Sequence, residues 1–240
     1  MRTLRIAFGL LTTLPFPLPD DWSPGDSGRA SVWYPLVGLV IGTLTWLVWK
    51  GALLLFPSLV AGIVTLLAWV LLTGGLHLDG LADCCDGLLA SVSLERRLEI
   101  MKDPHLGAFG VIGLMLVLLL KGATLAALTP GTSFGILLAA SVARWYILPA
   151  GLLSLARPGG MGADFSSGLE RSFIYMGAIL PVGLALVLGT RAVISLLAGT
   201  AAAALVLWLA KSRIGGVTGD VFGMVVEVVE TAVLLAFAVK

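Results

Sequence analysis

The chain has 240 residues, and 58% of them are hydrophobic without counting its 30 glycines. Charged residues make up 12%, about half the ~25% usual in soluble domains, and mean hydropathy is +1.04. This composition excludes an ordinary soluble domain and indicates a protein embedded in the lipid bilayer. The net charge of +1 gives no indication of a nucleic-acid partner, and none is expected. Cys84 and Cys85 are adjacent, which excludes a disulfide framework and the spacing of a zinc site.

The first apolar stretch, residues 4–19, is too short to span a bilayer and ends in prolines. We predict an interfacial or re-entrant helix there. A secretory signal is not expected, because the run Ile6–Leu14 is short and leads into Pro15-Phe16-Pro17 without a small-residue cleavage site.

Beyond this stretch the sequence predicts an all-α, polytopic membrane helix bundle of about seven spans, with residues 1–240 forming a single integral membrane domain. The alternative is six spans plus a re-entrant segment, because only Gly189-Thr190-Arg191 separates the fifth and sixth spans. The predicted spans are 32–49, 52–73, 109–128, 133–152, 173–189, 191–210 and 220–239.

The distribution of Lys and Arg predicts the orientation. If loop 74–108 faces the cytoplasm, ten of the 15 basic residues lie on that side and two lie within spans. The remaining three, on the other side, are Lys50, Arg191 and Lys240. We therefore expect a multi-pass protein of the cell (inner) membrane whose polar loops, and any active site, face the cytoplasm.

A cluster of aspartates follows the second predicted span. In a helix, Asp79, Asp83 and Asp86 are spaced i, i+4, i+7 and share one face. Three carboxylates on one face repel each other unless a cation lies among them, and their oxygens suit Mg²⁺ better than zinc. The alternative is that they cap or solvate a helix end. Gly74-Gly75 and Gly80 favour the ligand site, since glycine permits close backbone approach.

Three further groups of polar residues are candidates. His77 is interpreted either as a metal or phosphate contact or as a hydrogen-bonded interfacial histidine. Lys102-Asp103, followed by glycines 107 and 110 before a span, is interpreted as a phosphate cradle at a helix N-terminus or as an ordinary membrane anchor.

The third group lies within the predicted spans. Asp220 and Glu227 share a face of the last span, with Glu230 somewhat off it, and Arg144 lies in the fourth span. A carboxylate within a span normally belongs to a functional site or pairs with a cationic side chain. We expect the last span to pack beside the 74–87 helix, so that Asp220 joins the aspartate site and Glu227 either pairs with Arg144 or contacts substrate.

These motifs resemble the cobalamin-5′-phosphate synthase (adenosylcobinamide-GDP ribazoletransferase) family. The most specific is the run Gly74-Gly75-Leu76-His77-Leu78-Asp79-Gly80-Leu81-Ala82-Asp83-Cys84-Cys85-Asp86-Gly87. The others, in order, are Thr13-Leu14-Pro15-Phe16-Pro17, Tyr34-Pro35-Leu36-Val37-Gly38, Leu98-Glu99-Ile100-Met101-Lys102-Asp103, Arg144, Gly215-Gly216-Val217-Thr218-Gly219-Asp220 and Glu227. Together they extend over essentially the whole chain.

The resemblance implies an enzyme of late vitamin B12 assembly. It would join adenosylcobinamide-GDP to α-ribazole or α-ribazole 5′-phosphate, use Mg²⁺ and release GMP. Asp79 and Asp83 would be metal ligands, Asp86 a ligand or base, and Lys102 a phosphate contact. The remaining substrate-binding candidates are His77, Asp103, His105, Arg144, Asp220 and Glu227. The sequence is compatible with a homo-oligomer.

Two segments depart from the family pattern. Pro104-His105 replaces a frequent Ser-Arg, which weakens the case for phosphate binding at position 105, since histidine is only partly charged near neutrality. Met161-Gly162-Ala163-Asp164 fits the family's glycine-rich loop loosely, so residues 157–165 have no assigned role.

Two other classes of protein compete with this interpretation. A transporter or cation channel would use Arg144, Glu227 and Glu230 as an intramembrane relay, but inverted repeats are not visible. An enzyme acting on CDP-linked lipids would need arginine where Asp83 stands.

Overall fold

The computed structural model describes residues 1–239, so the predicted position of Lys240 lies outside the described residues. Within them the chain forms α-helices and no β-strand, which confirms the predicted all-α class. The helices are α1 (Arg2–Leu11), α2 (Asp26–Ala30), α3 (Tyr34–Leu55), α4 (Ser58–Thr73), α5 (Leu76–Leu89), α6 (Leu94–Ile100), α7 (Ala108–Ala127), α8 (Gly135–Ala150), α9 (Gly160–Gly168), α10 (Arg171–Leu188), α11 (Thr190–Ile214) and α12 (Gly219–Ala238). A 3₁₀ turn, Ser31–Trp33, joins α2 to α3.

Several helices are long and apolar enough to cross a membrane, as the sequence predicted. In the described part of the chain there are five: the α2–α3 unit, α7, α10, α11 and α12. Helices α4 and α5 pass the same test only as a pair bent by 93°. The chain is therefore a multi-pass membrane protein with five such helices, or six if the bent pair is one span, and the count of seven is not confirmed.

The second and fourth predicted spans account for the difference. Helix α3 continues through Gly51 and ends at Leu55, and Pro57 then precedes α4. This leaves α4 with only 16 residues, and α8 also has 16. Sixteen residues extend about 24 Å, less than the ~30 Å hydrocarbon core. By contrast, the fifth and sixth spans are separate helices, because Gly189 breaks the chain at φ +85°.

Helix α12 lies at the centre of the bundle and packs against α5, α7, α8 and α11. Its buried side chains include valines at several consecutive turns, and Val229 and Val233 pack against Gly199 of α11. At Gly199 on α11, an added Cβ would lie 2.9 Å from the side chain of Val233. This central position fixes the orientation of Asp220, which stands in the first turn of α12.

The sharp bend between α4 and α5 positions the aspartate-bearing helix. Gly74 ends α4 and Gly75 begins α5, both with left-handed backbone at φ +63° and +72°, which glycine adopts without a steric penalty. The N-terminal segment fastens this corner, because the backbone N–H of Thr13 donates to the Leu72 carbonyl at 2.9 Å. The two glycines therefore turn the chain here.

Candidate active site where α5 meets α12

Helices α5 and α12 approach backbone to backbone. A Cβ at Gly80 would lie 2.7 Å from the Asp220 carbonyl oxygen, and one at Gly223 would lie 3.0 Å from the His77 carbonyl oxygen. Only glycine fits at such a crossing. The prediction that the last span packs beside the 74–87 helix is confirmed. Gly80 admits helix α12 at this crossing, and it also lies in the wall of the cleft described below, so its predicted role beside a ligand stays a prediction.

This crossing gathers three carboxylates at one end of the bundle. Asp79 is exposed, Asp83 and Asp220 are half-buried, and the three lie within electrostatic range of one another. Within residues 1–239, neither Asp79 nor Asp83 forms a side-chain hydrogen bond or ion pair with the protein. Two free carboxylates beside a third form a strongly negative patch that favours a cation.

Arg157 supplies a positive charge at this patch. Its Nη2 lies 3.2 Å from Asp220 Oδ2, which also accepts a hydrogen bond from the Thr218 hydroxyl at 3.1 Å. The other terminal nitrogen, Nη1, is buried and has no hydrogen-bond partner among the described residues. Sequence reasoning left Arg157 without a role. A signal was present, since it is the one basic residue between α8 and the glycine pair 159–160.

A short backbone bridge holds the loops of Arg157 and Asp220 together. The Val217 N–H donates to the Ser154 carbonyl at 2.9 Å, and the Ala156 N–H donates to the Val217 carbonyl at 3.0 Å. A Cβ at Gly216 would collide with the backbone of this bridge. The Gly215-Gly216 pair before Asp220 therefore serves the docking of two loops.

Asp86 has a different role from Asp79 and Asp83. Its Oδ2 accepts a hydrogen bond from the Gly107 N–H and its Oδ1 one from the Gly110 N–H, both at 2.8 Å. These are free donors at the N-terminus of α7, where a carboxylate is favourable. The predicted phosphate cradle at glycines 107 and 110 was wrong, because Asp86 occupies it. The capping alternative holds for this aspartate.

No group of three or more His, Cys, Asp or Glu side chains within residues 1–239 is arranged closely enough to hold a metal ion. The predicted set Asp79, Asp83 and Asp86 is divided, since Asp86 is committed to α7. A cation at Asp79 and Asp83 would therefore need Asp220, water or substrate oxygens to complete its coordination.

The Lys102 loop contributes no side chain to either of the two cavities at this patch, which are described below. Lys102, Asp103 and His105 are all exposed. Asp103 accepts a hydrogen bond from the His105 backbone N–H at 3.0 Å and its carboxylate lies 2.6 Å from His105 Nδ1. These contacts lower the pKa of Asp103. Substrate binding by these three residues stays a prediction.

An apolar cleft of about 490 Å³ opens beside the carboxylates. Asp79 and Asp220 line one part of it, and His77 is also in its wall. The other walls are mostly apolar and come from the N-terminal segment, the start of α3, and helices α5, α8, α9 and α12. The large apolar side chains among them are Leu10, Leu11, Leu18, Trp22, Tyr34, Leu76, Ile147, Met161, Phe165 and Phe222.

Helix α9 forms one wall of this cleft. Part of the segment 157–165, to which the sequence assigned no role, therefore has a structural role here. Asp164 accepts hydrogen bonds from the Gly25 N–H at 2.7 Å and from the Ser27 hydroxyl. Gly28 and Gly168 allow α2 and α9 to touch through their backbones. The buried Asp26 in turn accepts hydrogen bonds from Arg2 and Arg29, each at 2.7 Å. Sequence reasoning did not single out Asp26 or Asp164.

Four charged residues form a buried network in the centre of the bundle. Glu230 pairs with both Arg144 and Lys121, and Glu227 Oε2 lies 3.0 Å from Lys121 Nζ. The Lys121 ammonium also lies over the Trp69 ring, 4.5 Å from its centroid. The expected pairing of Arg144 with Glu227 was wrong, since periodicity could not reveal Lys121 as a partner. Neither Arg144 nor Glu227 lines the cleft.

The fold and the site together define a multi-pass helical membrane protein with a carboxylate-rich candidate enzyme site at one end of its bundle. A family model described as cobalamin-5-phosphate synthase matches residues 3–238, and the chain belongs to that family.

Curated relatives named adenosylcobinamide-GDP ribazoletransferase agree with this assignment. The relative from Pseudomonas fluorescens is 42% identical over 99% of each chain. That from Brevibacillus brevis is 39% identical over 98% of this chain and 97% of its own. The relative from Deinococcus radiodurans is 40% identical over 97% of this chain and 84% of its own. No solved structure matches the chain.

Proposed function

We propose that this protein is a Mg²⁺-dependent membrane transferase that joins adenosylcobinamide-GDP to α-ribazole, or to α-ribazole 5′-phosphate, and releases GMP. The family membership and the names of the relatives support the reaction. The observation that carries the proposal is the position of Asp79, Asp83 and Asp220 beside Arg157 at the apolar cleft.

The chemistry of the donor set suits a hard divalent cation, and because no three of these side chains lie close enough to hold it alone, substrate phosphate and water would complete its coordination. Asp79 and Asp83 present carboxylate oxygens without protein partners, and Asp220 adds a third carboxylate from α12. Oxygen ligands of this kind, with substrate phosphate and water, are those that Mg²⁺ prefers. Asp79 and Asp83 would hold the ion with Asp220 beside them. When bound, the Mg²⁺ ion would neutralise negative charge on the phosphate oxygens.

The protein's own residues perform the rest of the reaction. The ribose 3′-oxygen forms a bond to the phosphorus next to the aminopropanol arm, and the bond from that phosphorus to the oxygen of the departing GMP breaks. One of the free aspartates accepts the 3′-hydroxyl proton, since Asp86 is occupied by the N-terminus of α7. Arg157, with its unpartnered Nη1, neutralises charge on the leaving phosphate. Arg157 is therefore better placed than the exposed Lys102.

We also infer that this end of the bundle faces the cytoplasm of the cell (inner) membrane. Three basic residues, Arg2, Arg29 and Arg157, lie at the end of the bundle where the N-terminal segment, α5, α9 and the start of α12 meet. Lys50 lies toward the opposite end of α3. Basic residues favour the cytoplasmic side. A cytoplasmic site would also meet nucleotide-linked substrates directly.

The direct test uses purified protein in detergent or nanodiscs with adenosylcobinamide-GDP, α-ribazole and Mg²⁺. GMP should form together with the joined corrinoid product, and chelation of Mg²⁺ with EDTA should stop it. The absence of GMP from folded protein with both substrates and Mg²⁺ would refute the proposed reaction. GMP formation that continues in EDTA would refute the Mg²⁺ dependence alone.

A transporter or channel is the weaker alternative. Its intramembrane relay would require buried charges that are free to change partners, whereas the two cations and two anions here are joined by three ion pairs, Lys121–Glu227, Lys121–Glu230 and Arg144–Glu230. Such a network suits a structural lock between α7, α8 and α12.

A further inference from the structure

The apolar cleft adjoins a smaller cavity that Arg157 lines, and the two cavities differ in the charge of their lining side chains. They share Gly160, Met161, Gly219 and Asp220 in their walls. The cleft has no Lys or Arg in its lining and contains Asp79, Asp164 and Asp220, whereas Arg157 lines the neighbouring cavity of about 70 Å³. A phosphate is therefore favoured on the Arg157 side and disfavoured in the cleft, where the only charged side chains are acidic.

One buried polar side chain in the wall of the cleft has no hydrogen-bond partner in the protein. His77 is 4% exposed, and its Nδ1 has no hydrogen-bond partner among the described residues. An unsatisfied buried polar group costs about 1–3 kcal/mol, so such groups are rare away from ligand sites. The other ring nitrogen of His77, Nε2, also forms no hydrogen bond with the described residues, and because His77 lies in the wall of the cleft, a ligand there can reach the ring through Nε2 while Nδ1 stays enclosed.

The remaining walls indicate the shape of that ligand. Tyr34, Phe165 and Phe222 form a run of adjacent rings, with centroids 5.9 and 5.3 Å apart, and Trp22 lines the cleft as well. Aromatic side chains favour a flat aromatic partner through stacking and edge contacts. The volume is within the ~300–1,000 Å³ range of small-molecule sites.

We propose that this cleft holds the planar, uncharged base of the nucleoside acceptor, and that His77 donates a hydrogen bond to the free ring nitrogen of that base. The ribose then lies toward Asp79 and Asp220, where its 3′-hydroxyl meets the carboxylate patch. This proposal rests on the proposed function, which supplies a neutral benzimidazole-type riboside as one substrate. His77 is thus assigned to the base and not to metal or phosphate.

The test compares two ligands on the wild-type protein in nanodiscs by titration calorimetry. One is α-ribazole, and the other is the analogue in which the free ring nitrogen is replaced by C–H. Wild type should bind α-ribazole about fivefold to tenfold more tightly, as expected for one hydrogen bond. His77→Phe should reduce this ratio to about one, and His77→Gln, which retains a donor, should recover part of it. Tyr175→Phe is the control, because Tyr175 is exposed on α10 and lies outside the cleft.

A second measurement does not depend on replacing a buried histidine. Trp22→Ala should raise KM for α-ribazole severalfold and leave KM for adenosylcobinamide-GDP unchanged, and Trp208→Ala, on the exposed face of α11, should change neither. Equal binding of the two ligands to wild type, or a ratio that persists in His77→Phe, would overturn the assignment of His77. Unchanged KM values in Trp22→Ala would overturn the assignment of the cleft. GMP formation by wild type in either case would show that the proposed function stands without it.

Discussion

Gly80 of α5 and Asp220 of α12 are in close backbone contact at the candidate site, although 140 residues separate them along the chain. A Cβ at position 80 would lie 3.0 Å from the Asp220 Cα and 2.7 Å from its carbonyl oxygen. Asp79 and Asp83 lie on the helix that Gly80 positions. The geometry of the carboxylate patch therefore depends on the absence of a side chain at position 80.

Gly80→Ala should separate α5 from α12 and lower stability by about 1–3 kcal/mol, as overpacking does. Turnover should fall further than the loss of folded protein explains, because Asp79 and Asp83 move relative to Asp220. Gly51→Ala is the matched control, since a Cβ there meets nothing and alanine favours a helix. Thermal unfolding in detergent measures the first effect and GMP release the second. Equal behaviour of the two variants would contradict the tight crossing.

Asp83→Asn should lower turnover and not stability, whereas Asp86→Asn should lower stability more than turnover. Asp83 forms no hydrogen bond with the protein, so its replacement should leave the melting temperature unchanged and lower turnover about a hundredfold or more. Asp86→Asn leaves an α7 donor poorly capped and should cost about 1 kcal/mol of stability. Its remaining folded fraction should retain most activity. The Asp86 assignment would be wrong if that variant melted normally but were inactive.

The buried charge network should contribute to stability more than to turnover. Glu230→Gln leaves both Arg144 and Lys121 without full compensation and should cost about 3–5 kcal/mol. Glu227→Gln should cost less, because Lys121 keeps its contact with Glu230. Chemical unfolding of the two variants gives the comparison. A normal unfolding midpoint combined with lost turnover in Glu230→Gln would indicate a role in the reaction instead.

Cysteine labelling tests the orientation. The native cysteines Cys84 and Cys85 are buried, so background labelling in intact cells should be low. Arg96→Cys should react with an impermeant reagent only after the membrane is opened, and Lys50→Cys should react from outside. Arg96 is a better probe than Arg97, which is buried and donates to the Gly87 and Leu88 carbonyls. Labelling of both positions from the same side would contradict the charge-based orientation.

The sequence predicted the features that depend on local pattern. Apolar runs placed α7, α10, α11 and α12 within a few residues of their observed bounds, and the sequence motif containing Asp79 and Asp83 lies at the candidate site. The features it could not predict depend on distant contacts. Arg157 reaches Asp220 across 63 residues, and Asp86 reaches the Gly110 N–H across 24. No periodicity encodes such contacts. The sequence also could not show that Gly74-Gly75 forms the turn between α4 and α5, because both a tight turn and a ligand site favour glycine.

The central claim is that α5 and α12 contribute carboxylates to one reaction site. A double-mutant cycle on GMP release by Asp83→Asn, Asp220→Asn and the double variant tests it most directly, with melting temperatures to confirm folding. If both carboxylates act on the same phosphate and cation, the double variant should lose much less activity than the product of the two single losses. Strictly multiplicative losses in folded protein would mean that Asp83 and Asp220 act independently, and would contradict the shared site.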